Sequence, residues 1–235
     1  SGGICAAPER HKALIVGGGF AGGSLSKCME KEQAKKKSGS DAKQTLLDVT
    51  LVSPQDYFDI NYHTFRGLVE TDKIHQQIIP LGELLTKGHI VHGKCTEVMT
   101  NAVTISPTDE GQRFDIPFDV LILCTGCRYT HGSVDYIKGG AQAATAVERV
   151  TQIRDKAAKL QEAETFSIIG GGPSAIEMAA ELLTHFPEKK VVLISRGKIL
   201  KDLNEDARSR VAKFFIVHKD HVQVFEETKR AVNVK

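Results

Sequence analysis

Two glycine-rich segments of the chain have the residue types that hold a pyrophosphate. They lie within residues 11–29 (HKALIVGGGFAGGSLSKCM) and 163–181 (ETFSIIGGGPSAIEMAAEL). Because glycine has no side chain, the backbone of such a turn approaches a phosphate closely, and the following helix offers unpaired N–H groups and a positive dipole end. Each segment therefore predicts a dinucleotide site. The spaced positions are Gly17, Gly19, Gly22, Gly170, Gly172 and Ala175.

The surroundings of both turns favour the same prediction. A short apolar run precedes each of them, ALIV at residues 13–16 and FSII at residues 166–169, and apolar residues recur at helical spacing afterwards. A glycine turn between a buried strand and a helix, with another strand following, is the context that the dinucleotide motif requires. The alternative is that both are ordinary strand-to-helix turns.

The strand after each turn ends in serine, where an acid usually binds the adenosine ribose. Ser53 stands at the first of these positions and Ser195 at the second, where Arg196 follows directly. A neutral residue followed by arginine suits a 2′-phosphate better than a free ribose diol. We therefore expect NADPH to be accepted at least as well as NADH, the alternative being that Arg196 is an ordinary surface arginine.

The composition is that of a globular protein from a reducing compartment. Apolar residues make up 41% and charged residues 26% of the 235 residues, and a net charge of +2 gives no reason to expect nucleic acid. No apolar run reaches the roughly 18 residues of a membrane helix. The five cysteines are scattered, which argues against a disulfide scaffold. We expect a protein that is cytoplasmic or associated with an organelle membrane, and not secreted.

The alternation of strand-like and helix-like segments predicts an α/β fold with two Rossmann-like domains, each with a parallel sheet and a β-meander. A change in composition near residues 138–145 places the domain boundary between residues 1–140 and 141–235. The lysine-rich stretch 31–44 is interpreted as a helix end running into a surface loop. A helix is expected over residues 144–163. Its buried face is predicted to contain Val147, Val150, Ile153, Ala157 and Leu160.

Six phrases of the sequence, in order, resemble one family of flavoproteins. IVGGGFAG, VSPQDYF, RGLVE, FDVLILCTG, IIGGGPSAIEMAAEL and FPEKKVVLIS are similar to the apoptosis-inducing-factor-like and ferroptosis-suppressor branch of the pyridine nucleotide-disulfide oxidoreductase superfamily, which is related to the type II NADH dehydrogenases. The resemblance covers essentially the whole chain. It implies that residues 1–140 bind FAD at the first turn and that residues 141–235 bind NADPH or NADH at the second.

The resemblance also assigns individual residues. Thr125 and Gly126 would line FAD, and Cys95 matches a position where the family's backbone meets the adenine. Glu177 matches a glutamate close to the nicotinamide and is the candidate catalytic residue, unless it is only a charge on the helix surface. The other FAD positions are Gly17, Gly19, Phe20, Ala21, Gly22 and Ser53. The pyridine nucleotide positions are Gly170, Gly172, Pro173, Ser174, Ala175, Ser195 and Arg196.

One motif of the family is absent. In the family, the FAD domain returns after the NAD(P)H domain with a Gly-Asp pair that holds the ribityl and phosphate end of the flavin. The sequence contains no Gly-Asp dipeptide and ends within the second nucleotide unit. We therefore expect either a fragment that lacks the family's C-terminal portion, or a shortened member with an incomplete FAD site.

The function expected from these features is an FAD-dependent NAD(P)H oxidoreductase. The resemblance implies a small-molecule electron acceptor of the quinone type, and it allows a homodimer and a peripheral membrane contact. One alternative is an NAD(P)H-responsive signalling or interaction flavoprotein without significant turnover. Another is an incomplete chain that binds nucleotides and turns nothing over.

Four other features of the sequence have residue types that can form sites. Cys124 and Cys127 have the spacing of a redox pair, but relatives that reduce disulfides do not place theirs at this strand end, so a structural role is favoured. His63 is interpreted as structural, and Arg66 either faces flavin or phosphates or forms a surface salt bridge. The histidines, including His218, show no metal-binding spacing, so no metal is expected.

Overall fold

The computed structural model describes residues 10–37, 46–127 and 143–228 of the chain, and it has an α/β architecture. The chain divides into two compact units. The first comprises residues 1–64 and 72–152, and the second comprises residues 65–71 and 153–235. The linker expected near residues 138–145 lies largely outside the described residues, whereas the division between the units falls within a helix.

A six-stranded mixed sheet forms the centre of the first unit. Its strands follow the order β7-β6-β5-β2-β1-β8, with parallel pairing from β8 to β5 and antiparallel pairing from β5 to β7. The antiparallel run is a β-meander. The six strands are β1 (Arg10–Val16), β2 (Leu46–Ser53), β5 (His89–Val98), β6 (Ala102–Pro107), β7 (Phe114–Pro117) and β8 (Val120–Leu123). A separate two-stranded antiparallel sheet consists of β3 (Tyr57–Asp59) and β4 (Ile78–Pro80).

Helix α1 packs against the central strands of this sheet. It runs over Phe20–Lys37, so the lysine-rich stretch is helical as far as Lys37, and residues 38–45 lie outside the described residues. The apolar run of β1 and the mainly apolar β2 place Ile15 and Leu51 in a fully buried core, as expected for strands that are covered on both faces. The short helices are α2 (Thr64–Val69) and α3 (Leu81–Leu84), with 3₁₀ turns at Asn61–His63 and Thr71–Gln76.

The second unit is built on a three-stranded parallel sheet in the order β11-β10-β9. No β-meander occurs in this unit within residues 153–228, in contrast to the expectation for both domains. The sheet core contains Leu193, Leu183 and Ala179, all fully buried. The strands are β9 (Thr165–Ile169), β10 (Lys190–Ile194) and β11 (Val222–Phe225). The longer helices are α4 (Ala146–Glu162), α5 (Pro173–His185) and α6 (Glu205–Val217).

Helix α4 forms where the sequence predicts it, but its buried face differs from the expected one. Val147 is 76% exposed, whereas Arg149 is 1% exposed and Ile153 and Ala157 are buried. A capping box begins the helix: Thr145 Oγ1 accepts from the Glu148 N–H at 3.2 Å, and the Glu148 carboxylate accepts from the Thr145 N–H at 3.4 Å. The first turn is therefore oriented by its cap and by an ion pair of Arg149, rather than by Val147.

The last turn of α4 is held by a lysine from a later segment. Lys189 Nζ donates to the carbonyl oxygens of Leu160 and Gln161, at 2.9 and 2.5 Å, and lies 4.5 Å from the ring centroid of Phe186. We expect Lys189→Met to lower the free energy of unfolding by about 1–2 kcal/mol, because two helix-end carbonyls and a cation–π contact lose their cation. Urea denaturation measures this, and Lys190→Met, which changes an exposed neighbour, is expected to stay near wild type. Equal loss in both variants would contradict the capping role.

Candidate functional site

The first glycine turn is sterically closed to any side chain at two positions. Gly17 has φ +111°, and a Cβ there would lie 2.2 Å from the carbonyl oxygen of Cys124. A Cβ on Gly22 would lie 1.8 Å from the carbonyl oxygen of Gly17. Both contacts involve backbone atoms, which cannot move aside as a flexible side chain can. The turn is also anchored to the sheet, because the Gly17 N–H donates to Val52 O at 2.8 Å.

The same turn lies beside the segment that follows β8. The Cys124 N–H donates to Val16 O at 2.7 Å, which extends the β1–β8 pairing to the turn itself. Thr125 and Gly126 come directly after Cys124 and are exposed, and Gly126 has φ +68°. The structure therefore brings the 125–126 pair to the glycine turn, as a common cofactor site requires. Cys95 lies on β5, three residues beyond the partner of Ser53, at a register shift in the β5–β6 pairing.

Aromatic rings lie against the start of α1. Phe20 stacks on the buried Phe58 with 5.9 Å between ring centroids, and Tyr62 meets Phe20 edge-on at 5.4 Å. Phe20 is nevertheless 44% exposed, and its neighbour Ala21 is exposed as well. His63 lies next in this row, edge-on to Tyr62 at 4.7 Å, and is also exposed. The surface next to the turn thus offers apolar rings to a ligand with a planar group.

A buried serine lies beneath each glycine turn, a feature that the motif alone does not reveal. A Cβ on Gly18 would lie 2.6 Å from Ser53 Oγ, and a Cβ on Gly171 would lie 2.3 Å from Ser195 Oγ. Ser53 is 0% exposed and Ser195 is 4% exposed. The small side chain at each strand end fits under the turn, where a carboxylate would be both larger and unpaired. Packing thus gives a physical reason for the absence of an acid at both positions.

The most strongly buried charges of the first unit were not predicted. Arg149 Nε donates to Asp59 Oδ2 at 2.9 Å, and Gln77 Nε2 donates to the other carboxylate oxygen at 3.0 Å. Arg149 Nη1 and Nη2 and Gln77 Oε1 are buried without a hydrogen-bond partner among the described residues. Burial raises the pKa of the nearby Tyr57 to about 12, although the positive charge of Arg149 opposes the shift. This network holds the two-stranded β3–β4 sheet, and with it Phe58, in place.

The second glycine turn has the same build as the first. The Gly170 N–H donates to Ile194 O at 2.8 Å, and Gly170 has φ +135°. Helix α5 begins directly after the turn, with Gly172 as its N-cap and Pro173 at the first helical position, where the missing N–H has no consequence. Ser174 and Ala175 continue this first turn of the helix. The N-terminus of α5 is thus free of acidic side chains and suits an anion.

A pocket of about 530 Å³ opens at this second turn. Its lining combines the glycine turn with a following loop that is rich in cations. Sequence reasoning identified Arg196 in this loop but missed Lys198 and Lys201, because nothing in the local pattern shows that residues after the strand fold back over the glycines. The lining residues are 170–173, 195–198 and 200–203.

In the second unit, the side chain of Glu177 has no partner among the described residues, whereas that of Arg66 forms ion pairs. Glu177 is exposed on α5 and makes no side-chain hydrogen bond or ion pair with the described residues. Arg66 donates from Nη2 to Glu181 Oε1 at 2.8 Å and from Nη1 to Glu70 Oε1 at 3.2 Å. The hydrogen bond and charge of Glu181 raise the pKa of the Arg66 guanidinium. Of the two interpretations of Arg66, the structure shows the salt bridge.

The remaining candidates form no second site in the described part of the chain. Cys124 and Cys127 are free thiols, as are Cys28 and Cys95. No group of three or more histidine, cysteine, aspartate or glutamate side chains is placed to hold a metal ion in residues 10–37, 46–127 and 143–228. Within the same ranges, no helix combines the length and the apolar character needed to cross a membrane.

The residues present fit the cofactors that the two turns predict. At the first turn, Gly17 and Gly22 have no space for a Cβ, so the backbone at the start of α1 carries no side chain at these positions. Exposed aromatic rings lie beside it. At the second, a cavity large enough for part of a nucleotide borders an acid-free helix N-terminus. Both are the arrangements that bind a pyrophosphate.

Comparison with known proteins gives a consistent result. The family model described as pyridine nucleotide-disulphide oxidoreductase matches residues 11–233. Apoptosis-inducing factor homolog B of Dictyostelium discoideum is 23% identical over 192 residues, which are 82% of this chain and 44% of that protein. Ferroptosis suppressor protein 1 of Xenopus tropicalis is 26% identical over 205 residues, 86% of this chain and 48% of that protein.

Solved structures share the fold. The sulfide:quinone oxidoreductase of Aquifex aeolicus superposes with a TM-score of 0.62 at 18% identity, over 92% of this chain and 51% of that one. The chain spans about half the length of the curated relatives it matches. The expected resemblance is thereby confirmed, and so are the α/β fold and a family that uses FAD and NAD(P). The chain belongs to the pyridine nucleotide-disulphide oxidoreductase family.

Proposed function

We propose that this chain is the nucleotide-binding part of an FAD-dependent NAD(P)H oxidoreductase. One arrangement occurs in both units, and it carries the proposal: a glycine turn hydrogen-bonded to parallel strands precedes a helix and covers a buried serine at a strand end. Two dinucleotides are needed where one delivers a hydride and the other accepts it. The family of the chain supports this reading.

In this proposal the first turn holds FAD. Gly17 and Gly22 leave the backbone open to the pyrophosphate, and Thr125 and Gly126 line the same cofactor from the strand end beside them. Cys95 contacts the adenine through its backbone. When bound, FAD supplies the ring that accepts hydride and passes electrons onward. The protein excludes water and fixes orientation, for which the ring of Phe20 and the buried support of Phe58 are suited.

The second turn holds NADPH or NADH in this proposal, with residues 141–235 as the binding domain and residues 1–140 as the FAD-binding domain. The pyrophosphate lies against Gly170 and Gly172 at the start of α5. Glu177 is exposed one turn into the same helix. In this proposal its carboxylate orients the nicotinamide. Its test is Glu177→Gln, which keeps the shape of the side chain and removes the charge.

A small-molecule acceptor of the quinone type completes the proposed reaction. The support is the resemblance to the ferroptosis-suppressor branch, together with the fold shared with a sulfide:quinone oxidoreductase. A homodimer and a peripheral membrane contact, in the cytoplasm or at an organelle membrane, remain part of the proposal.

An absorption spectrum of the purified chain, loaded with FAD and then reduced anaerobically with NADPH, tests the function. We expect a bound flavin spectrum that bleaches within the mixing time and recovers on addition of a short-chain quinone. Free FAD that passes through a desalting column, with none retained, would contradict the FAD site. Bound flavin that stays oxidised with excess NADPH would contradict hydride transfer and favour a non-catalytic nucleotide-binding role.

A further inference from the structure

A row of three exposed rings lies at the start of α1, next to the first glycine turn. Phe20 directly follows Gly19 and is 44% exposed, and Tyr62 beside it is 55% exposed. The exposed His63 completes the row, with 4.7 Å between its ring centroid and that of Tyr62. Because contiguous exposed apolar groups on a protein surface mark places where something binds, the row indicates a surface that a ligand covers.

The polar groups of this row have no partners. Neither Tyr62 Oη nor a ring nitrogen of His63 forms a hydrogen bond or an ion pair with the residues that the structure describes. A histidine with a purely structural role is usually buried and hydrogen-bonded, whereas this one is exposed. The row therefore combines aromatic rings with two groups that can form hydrogen bonds to a ligand, a phenol and an imidazole.

The turn that contains Tyr62 and His63 is fixed before any ligand binds. The His63 N–H donates to Ile60 O at 2.8 Å. At the end of the turn, Thr64 Oγ1 donates to Asn61 O at 2.7 Å. Since these bonds hold the backbone on both sides of the two rings, less conformational entropy is lost when a ligand binds to them.

A quinone has the chemistry that this row recognises. Its planar ring packs against an aromatic side chain, and its two carbonyl oxygens accept hydrogen bonds from a phenol or an imidazolium. Reduction of a quinone to a hydroquinone takes two electrons and two protons. A hydride accounts for both electrons and one proton, so the second proton must come from another donor. Histidine gains and loses a proton near neutral pH, and an exposed histidine regains its proton from water.

We propose that Tyr62 and His63 form the acceptor site of the oxidoreductase. The inference rests on the proposed function and assigns residues to its acceptor. The Tyr62 ring packs against the quinone ring. Transfer of the hydride to one carbonyl oxygen leaves a hydroquinone monoanion. An N–H bond of the His63 imidazolium then breaks as an O–H bond forms at the other oxygen, and neutral His63 takes up a proton from water.

Equilibrium dialysis of a short-chain quinone against the purified chain, with and without bound FAD, tests the site independently of turnover. We expect saturable binding that Tyr62→Ala weakens about three- to tenfold, the size of one aromatic contact. Tyr62→Phe keeps the ring and should retain most of the affinity. No saturable binding in either state, or equal affinity in wild type and Tyr62→Ala, would overturn the site. Loss of bound FAD from Tyr62→Ala would assign the ring to the flavin and overturn the site as well.

Reduction of the same quinone and of ferricyanide by NADPH tests the proton transfer. Ferricyanide takes one electron and no proton, so its reduction needs no proton donor. His63→Gln should lower kcat with the quinone about a hundredfold, within the range of general acid catalysis, and leave ferricyanide reduction unchanged. Free imidazole should restore part of the quinone activity. His89→Gln removes another exposed histidine, at the start of β5, and should change neither activity.

These outcomes separate the acceptor site from the proposed function. Equal losses with quinone and ferricyanide in His63→Gln, or a loss with neither, would overturn the proton transfer and leave the proposed function standing. A wild-type chain that reduces neither acceptor would overturn the proposed function and the proton transfer together. In that case the dialysis still decides whether Tyr62 binds the quinone.

Discussion

Replacing Gly22 by alanine should abolish FAD binding and destabilise the first unit. The new Cβ would lie 1.8 Å from Gly17 O, and the Gly17 N–H is itself hydrogen-bonded to Val52 O. The backbone at Gly17 cannot move away from the new Cβ without breaking that hydrogen bond or changing its φ of +111°. We expect a loss of about 2–4 kcal/mol in the free energy of unfolding, the range for overpacking combined with backbone strain.

The measurements are urea denaturation and the amount of FAD retained after desalting. Gly82→Ala is the matched control, because a Cβ there meets nothing within 4 Å and the residue lies in α3 rather than in the turn itself. Gly19→Ala separates the two effects: a Cβ at Gly19 also meets nothing within 4 Å, so stability should be retained while the side chain obstructs the pyrophosphate. A Gly22→Ala protein with wild-type stability and flavin content would refute the steric argument.

Removing the carboxylate of Asp59 should have the largest effect on the stability of the first unit outside the glycine turn. Arg149 is 1% exposed, and Asp59 is the one hydrogen-bond partner of its guanidinium among the described residues. Asp59→Ala leaves a buried guanidinium without a counter-charge and Gln77 without its acceptor. Breaking a buried ion pair by deleting one partner typically costs about 3–5 kcal/mol.

Arg149→Met also breaks the Nε–Asp59 hydrogen bond, but it is expected to cost less than Asp59→Ala. It removes two buried Nη atoms that have no partner, and the carboxylate that it leaves is 16% exposed and still accepts from Gln77. The double variant Asp59→Ala/Arg149→Met should recover much of the loss, since no unpaired charge remains buried. Asp206→Ala provides the control: its pair with Arg210 at 3.1 Å is exposed on both sides and should be worth no more than about 1 kcal/mol. Similar losses for Asp59→Ala and Asp206→Ala in thermal or urea unfolding would show that burial does not control the energy of the Arg149 pair.

The element order was predictable because its signals are local. Strands β1 and β10 contain continuous apolar runs and β2 and β9 are mainly apolar, while α5 follows a glycine turn and contains apolar residues at helical spacing. Helix α4 was predicted within two residues of its bounds, since its capping box and its length are both properties of neighbouring residues. The antiparallel meander of the first unit was predicted, whereas the described residues of the second unit are limited to parallel strands.

Which face of α4 is buried was less predictable from the sequence. Val147 was placed on the buried face by spacing, and Arg149 was not considered for it. The reason is that Asp59 lies 90 residues earlier in the chain. No local sequence pattern indicates that its carboxylate pairs with a guanidinium on α4. An arginine in a helix is exposed by default, and only a long-range partner reverses that preference.

The sequence by itself determined the α/β class, the two glycine turns and the family, because each depends on residues that are close together in the chain. The tertiary structure decided what surrounds those turns: a serine beneath each one, Arg149 buried on Asp59, and Lys198 and Lys201 folded over the second turn beside Arg196. The physical reason is that backbone conformation and hydrophobic periodicity act over a few residues. Burial and charge depend on which distant segments the sheet brings together.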